Sequence, residues 1–213
     1  MAIQRSRIRK FLVVAHGEPL APRQLRRLAR GRYVICLDGA ANDNPSLRPD
    51  LLLGDMDGIS APALRRMRRW KVPVLALTDQ NTTDLEKALL WCAMHKAKDV
   101  VVVAATGRRM DHTLANVSLL RRFDRKGAVL EFRTGLERIR YLKNRRLSLA
   151  AKRGQRVAVF GAPEATVWST GAKYPMTGLL LRWGILESVS NECTGRRFAL
   201  RVEGEALLVM EEK

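Results

Sequence analysis

The sequence predicts an α/β protein, a mainly parallel sheet with flanking helices, followed by a small antiparallel β-domain. Up to about residue 133, short apolar runs alternate with amphipathic stretches, which is the pattern of successive βα units. Several of the runs, 100–105 among them, are rich in Val, Ile or Leu without alternation, as strands covered on both faces should be. Beyond that point the runs shorten, helical periodicity fades and glycine recurs from Gly154 to Gly204. Two domains follow, 1–133 and 134–213.

Taken in order, strands are expected at 11–15, 33–37, 50–53, 72–77, 100–105 and 128–132. The helix over 22–30 begins with Pro22 and stops at Gly31, and the helix over 61–70 carries Pro62 in its first turn, both favourable punctuation. Thr83-Asp84-Leu85-Glu86 has capping-box spacing, after which Leu85, Ala88, Leu89 and Cys92 share one face. A further helix is expected over 111–122. In the second part, strands are expected at 156–160, 179–182, 197–202 and 206–210.

Hydrophobic residues make up 46% of the 213 and charged residues 28%, so the chain can bury a core and is not of the disordered class. Its net charge of +18 comes largely from arginine clusters such as Arg65 to Arg69. Nucleic acid, anionic membrane and polyanionic small molecules therefore enter as partner classes. No basic run is interleaved with stacking aromatics, so the arginines read better as solvated faces and stems over apolar surface. Cys36, Cys92 and Cys193 have no paired spacing, which supports neither a disulfide framework nor a zinc site and suits a reducing, cytoplasmic setting. No apolar stretch reaches membrane-spanning length.

Ligands of open parallel sheets bind beyond the carboxyl ends of the strands, and there the chain places polar, acid-bearing loops. They read His16-Gly17-Glu18, Asp38-Gly39-Ala40-Ala41, Gly54-Asp55-Met56-Asp57, Thr78 to Asp84, and Thr106 to His112. Because strand side chains alternate with a period of two, Asp55 and Asp57 can both point the same way from the end of a buried strand. Such a pair suits a hard divalent cation carrying a nucleotide, although DMDG is also a good turn. Asp38 precedes small residues that let a ligand approach the backbone, or serves as an ordinary helix cap. The helix start at Thr83-Asp84 offers N–H groups to phosphate with Lys87 one turn on, or uses Asp84 to stabilise its first turn. Arg109 with Asp111 combines a phosphate fork with an orienting or metal-binding acid, the alternative being a surface cation. His112 reads equally as a locally bonded helix-start residue.

The ordered series DGAA at 38–41, PDLLLGDMDG at 49–58, DQNTTDLEKAL at 79–89 and GRRMDHTLANVSLL at 107–120 resembles thiamine pyrophosphokinase, also called thiamine diphosphokinase. GAKYP at 171–175 and SVSNE at 188–192 continue the likeness. The resemblance implies a homodimer with an α/β nucleotide-binding catalytic domain and a thiamine-binding β-sandwich. It implies pyrophosphoryl transfer from ATP to the hydroxyl of thiamine, assisted by Mg²⁺, giving thiamine diphosphate and AMP. By similarity, Asp38, Asp55, Asp57 and Asp84 bind metal and polyphosphate. Gln80, Thr83 and Lys87 seat the phosphates, and Arg109 and Asp111 complete the nucleotide site. The catalytic acids would be Asp55, Asp57, Asp84 and Asp111. Ser190 and Asn191, with Tyr174 nearby, would lie at a thiamine pocket formed at the dimer interface.

Three departures are visible. DMDG replaces a DFDS-like turn, Arg108 stands where a second glycine is usual, and Val209 replaces a tryptophan found in some relatives. Two alternatives accompany the leading reading. One is a pyrophosphokinase for another heterocyclic alcohol such as a hydroxymethylpterin. The other is a non-catalytic basic nucleic-acid-binding protein, against which the acids count, since an aspartate-lined groove repels phosphate unless metal is present.

Overall fold

The computed structural model describes residues 9–79 and 81–212. Two compact units divide it, one ending at Gly135 and the other beginning at Leu136. Parallel strands fill the first unit and antiparallel strands the second, a mixed α/β fold.

In the first unit β1 (Lys10–Val14), β2 (Tyr33–Leu37), β3 (Leu51–Gly54), β4 (Val74–Ala76), β5 (Asp99–Val103) and β6 (Val129–Arg133) lie in the order β6-β5-β1-β2-β3-β4. All five pairings are parallel. The order follows from burial. In β1, β2, β3 and β5 four consecutive side chains are buried, so these strands need cover on both faces and occupy the middle. Each fully buried Leu or Val there contributes about 1.5–3 kcal/mol. β4 has no buried residue, and Pro73 precedes it; it is a three-residue edge strand, shorter than the expected 72–77. The strand order reverses at β1, whose parallel neighbours are β2 and β5, so the loops after β1 and β5 flank the topological switch point.

The helices are α1 (Pro22–Ala29), α2 (Ala40–Asp43), α3 (Ala61–Arg69), α4 (Asp84–Met94) and α5 (Met110–Arg122). α4 is capped by Thr83, whose hydroxyl accepts the Glu86 amide at 3.2 Å. Only half of the expected capping box forms, because Glu86 turns to Arg122 at 2.7 Å. Among the described residues no helix is long and apolar enough to cross a membrane.

The second unit consists of β7 (Glu137–Ala150), β8 (Arg156–Thr170), β9 (Thr177–Arg182), β10 (Ser188–Glu192) and β11 (Arg197–Glu211). β11 pairs antiparallel with β7 and β8 along its length, while β10 takes the first half of β8 and β9 the second. The expected strands at 197–202 and 206–210 are one strand, interrupted by a bulge around Gly204 where its register with both partners shifts. β8 likewise runs ten residues past the expected 156–160. β7 was not foreseen: its buried Ile139, Tyr141 and Leu142 are interleaved with Arg138, Arg140, Lys143, Arg145 and Arg146, so it reads as a charge run. Val157, Val159, Val167, Phe198, Leu200, Val202, Leu208 and Met210 lie at the centre of this unit's core.

Candidate active site

Three carboxylates reach one place from three separate segments. Asp38 follows β2, Asp55 follows β3, and Asp84 opens α4. Each offers an oxygen within 4.8 Å of the others. They border a cavity of about 480 Å³, a size suited to a nucleotide-sized ligand. Asp57, Thr83, Lys87, Arg108, Arg109 and His112 also line it.

Asp38 is fixed most firmly. Only 4% exposed, it accepts the Gly39 amide on Oδ1 at 2.5 Å and the Gly58 amide on Oδ2 at 3.2 Å. Asn42 ties the same two loops together, donating to the Gly58 carbonyl at 2.8 Å and accepting the Ser60 amide at 2.9 Å. Gly58, the departure in the DMDG turn, thus supports Asp38 through its backbone, a contact that needs no side chain. Gly54 must be small: a Cβ there would stand 2.7 Å from Cγ of Asp38. Because the carboxylate is pinned by two amides it cannot step aside cheaply. Gly54→Ala is therefore expected to misplace it and lower turnover about a hundredfold; steady-state kinetics beside a thermal melt would check this, and unchanged kcat would refute it.

Asp55 and Asp57 come together for a reason other than strand alternation. β3 ends at Gly54, and Met56 takes a left-handed conformation at φ 71°, so a turn, not the pleat, sets the pair. The Asp57 amide donates to Asp55 Oδ1 at 3.2 Å. A side-chain hydrogen bond with Asp55, then the charges of Asp55, Asp38 and Asp84, hold Asp57 above the usual carboxylate range. Asp57 is exposed and stands outside the tight group of three. Burial raises Asp84 as well, reinforced by the charges of Asp38 and Asp55 and opposed by Lys87. Lys87 Nζ lies 3.1 Å from Asp84 Oδ1 and is itself buried. One ammonium among four acids leaves negative charge in excess, and an all-oxygen donor set of this kind fits Mg²⁺. Asp38, Asp55 and Asp84 are the residues able to hold it.

Arg109 and Asp111 bond to each other, Nε to Oδ1 at 3.1 Å. That bond, with the His112 amide, pulls Asp111 down to about 2. Arg109 borders the cavity, whereas Asp111 stands behind it as the arginine's partner. Gln80 lies outside the described residues. Sequence reasoning passed over three contributors. Asp79 accepts from the Asn81 amide at 3.0 Å and from Thr82 Oγ1 at 2.6 Å, shaping the loop before α4. Asn116 is buried and donates to the Ala105 carbonyl at 2.7 Å. Asp43 joins His16 and Arg108, at 3.5 and 3.0 Å. Asp79 carried a signal, an Asp two and three residues before amide and hydroxyl partners; the other two depend on tertiary apposition.

Comparison with known proteins now bears on this geometry. The family model described as thiamin pyrophosphokinase, catalytic domain, matches residues 25–131, half of the chain. The chain belongs to the thiamin pyrophosphokinase family. Among its relatives, thiamin pyrophosphokinase 1 of Caenorhabditis elegans is 28% identical over 92% of this chain and 86% of that protein. The thiamine pyrophosphokinase of Bacillus subtilis is 29% identical over 65% of this chain and 67% of its own. Solved structures agree in fold. The Bacillus subtilis thiamine pyrophosphokinase superimposes with a TM-score of 0.85 at 20% identity, covering 96% of this chain and all of that one. Thiamin pyrophosphokinase from Candida albicans gives 0.85 at 17% identity over 96% and 90%. Neither the pterin acceptor nor the nucleic-acid reading gains support from these thiamin pyrophosphokinase matches.

In this family member the three residues expected near thiamine lie in the second unit and differ in exposure. Tyr174 is 63% exposed, with Lys173 Nζ 5.5 Å from its ring centroid. Ser190 is exposed and left-handed at φ 57°, within the irregular β10–β8 pairing. Asn191 is 2% exposed. Its amide accepts from the Tyr174 N–H at 3.1 Å and donates to the Tyr174 carbonyl at 2.7 Å. Asn191 thus clamps the backbone that presents Tyr174.

Proposed function

We propose that the protein is a thiamine diphosphokinase, transferring a pyrophosphoryl group from ATP to the hydroxyl of thiamine and releasing AMP. The observation that carries this reading is the convergence of Asp38, Asp55 and Asp84 on one cavity that also holds Lys87, Arg108 and Arg109, in a chain of the thiamin pyrophosphokinase family. In the reaction the thiamine oxygen bonds to the β-phosphorus, the bond from that phosphorus to the α–β bridging oxygen breaks, and AMP leaves with the oxygen. Asp38, Asp55 and Asp84 would hold Mg²⁺, which would supply charge neutralisation to the phosphate chain.

The chain's own groups supply the rest. Lys87 and Arg109 are cations at the cavity and add to that neutralisation. Thr83, Asp84 and Leu85 at the start of α4 line the same cavity, and a helix start favours anionic oxygens. Asp57 lines the cavity outside the group of three, and in this reading it takes the proton of the attacking hydroxyl. Thr83 positions Asp84 and Lys87 by capping their helix.

The second unit is read as the acceptor-binding β-sandwich, an assignment supported by the alternating burial of β8 and β11 and the bulge that bends β11. Leu180, Trp183, Ile185, Leu186 and Val189 are exposed around β9 and β10, an apolar group that favours a homodimer through this unit. Three buried free thiols suit a reducing cytoplasm; burial pushes Cys36 and Cys92 up to about 12, so they are unreactive.

Purified protein given ATP and Mg²⁺ should release AMP when thiamine is added and not when a hydroxymethylpterin replaces it. AMP release that depends on the pterin but not on thiamine would overturn the reading.

A further inference from the structure

We propose that Arg108, braced by Asp43, is a nucleotide-binding residue that grips the phosphate chain from the side of the cavity served by the β1, β2 and β5 loops. The inference deepens the proposed function and takes from it only the identity of the ligand as ATP.

The three loops involved surround the switch point of the sheet. The loops after β1 and β5 are zipped together: the Gly17 amide donates to the Ala104 carbonyl at 2.6 Å and the Glu18 amide to the Thr106 carbonyl at 2.7 Å. A Cβ on Gly17 would lie 2.3 Å from the Thr106 oxygen, so this apposition admits glycine alone. It delivers His16 and Arg108 side by side to the cavity wall. From the end of α2, Asp43 reaches both, with Oδ2 at 3.0 Å from Arg108 Nη2 and 3.5 Å from His16 Nε2.

His16 and Arg108 line the cavity, and Asp43, which pairs with both, does not. Asp43 takes one nitrogen of a guanidinium that carries five N–H donors in a planar fork. The N–H groups that Asp43 does not take, those on Nε and Nη1 among them, remain as charged donors to phosphate oxygens. Arg108 is thus a cation held in place before the ligand arrives, its side chain 39% exposed and lining the cavity. The acids proposed to hold Mg²⁺ come from the β2 and β3 loops and α4. An Mg²⁺–triphosphate retains net negative charge, and Arg108 meets it from the β5 loop, which supplies none of those three acids. Asp43 is a positioning residue, acting through Arg108.

The test is calorimetric titration with Mg²⁺ and α,β-methylene ATP, whose α–β linkage cannot be cleaved, beside steady-state kinetics and a thermal melt. Arg108→Gln should raise the Kd of the analogue and the KM for ATP about tenfold, with kcat and the KM for thiamine near wild type, the signature of uniform binding. Arg108→Lys should recover part of the loss. Asp43→Asn should weaken the analogue by about threefold, and the double variant should be no worse than Arg108→Gln, because the two act as one unit. The proposal is overturned if Arg108→Gln melts like wild type and binds the analogue within twofold of it, or if the KM for thiamine rises as much as that for ATP. An Arg108-dependent affinity in a protein that releases no AMP with thiamine would overturn the proposed function and leave this inference standing.

Discussion

Asp55→Asn is expected to lower kcat about a thousandfold, about 4 kcal/mol of transition-state stabilisation, without lowering the melting temperature of the metal-free protein. The two halves of this expectation have opposite origins. Turnover falls because one of three oxygens converging within 4.8 Å no longer carries the charge that holds a hard cation against the phosphates. The fold does not suffer because an amide oxygen can still accept the Asp57 N–H, while the repulsion of Asp55 with Asp57 and Asp84 is relieved. Removing a like charge from a crowded acid group stabilises the apo state or leaves it unchanged. Kinetics and melts on one preparation would decide it. A variant that loses activity together with several degrees of stability would point to a structural role for Asp55 instead.

Lys87→Met should behave in the opposite way toward stability. Lys87 is buried, and its ammonium is the cation that faces Asp84 at 3.1 Å. Methionine fills much of the same space but leaves a half-buried carboxylate beside two other acids. Breaking a fully buried pair by removing one partner costs several kcal/mol; with Asp84 a quarter exposed, about 2 kcal/mol is the expected loss. The missing charge should also lower kcat by about a hundredfold. Mg²⁺ should restore part of the melting temperature, because the divalent ion replaces the ammonium as counter-charge. Equal melts for Lys87→Met and wild type in the absence of Mg²⁺ would refute this account of the pair.

How legible the molecule was depended on whether a feature was local. β2 was readable residue for residue, and the other central parallel strands to within two, because continuous apolar runs bounded by turn residues have few other uses. β7 was hidden by its cations, which occupy positions a period-of-two reading reserves for polar residues but in such density that a strand and a solvated charge run look alike. β11 was split in two because a bulge at Gly204 interrupts the alternation without ending the strand. In the site, Asp38, Asp55 and Asp84 could be nominated because each follows a strand or opens a helix at the carboxyl edge. Asp43 and His16 could not, since nothing near either in the chain announces that the Asp43 carboxylate at the end of α2 will be shared by His16 of the β1 loop and Arg108 of the β5 loop. The pairing of Asp55 with Asp57 was legible as a spacing but for the wrong reason: a left-handed Met56 makes it, not the pleat.

The central claim is that acids remote in sequence hold one divalent cation against a triphosphate. It is tested most directly by a crystal structure grown with Mn²⁺ in place of Mg²⁺ and with α,β-methylene ATP, recorded at a wavelength where manganese scatters anomalously. The account predicts an anomalous peak within coordinating distance of Asp38, Asp55 and Asp84, with phosphate oxygens of the analogue completing its shell. Manganese and analogue bound away from these three carboxylates would contradict it.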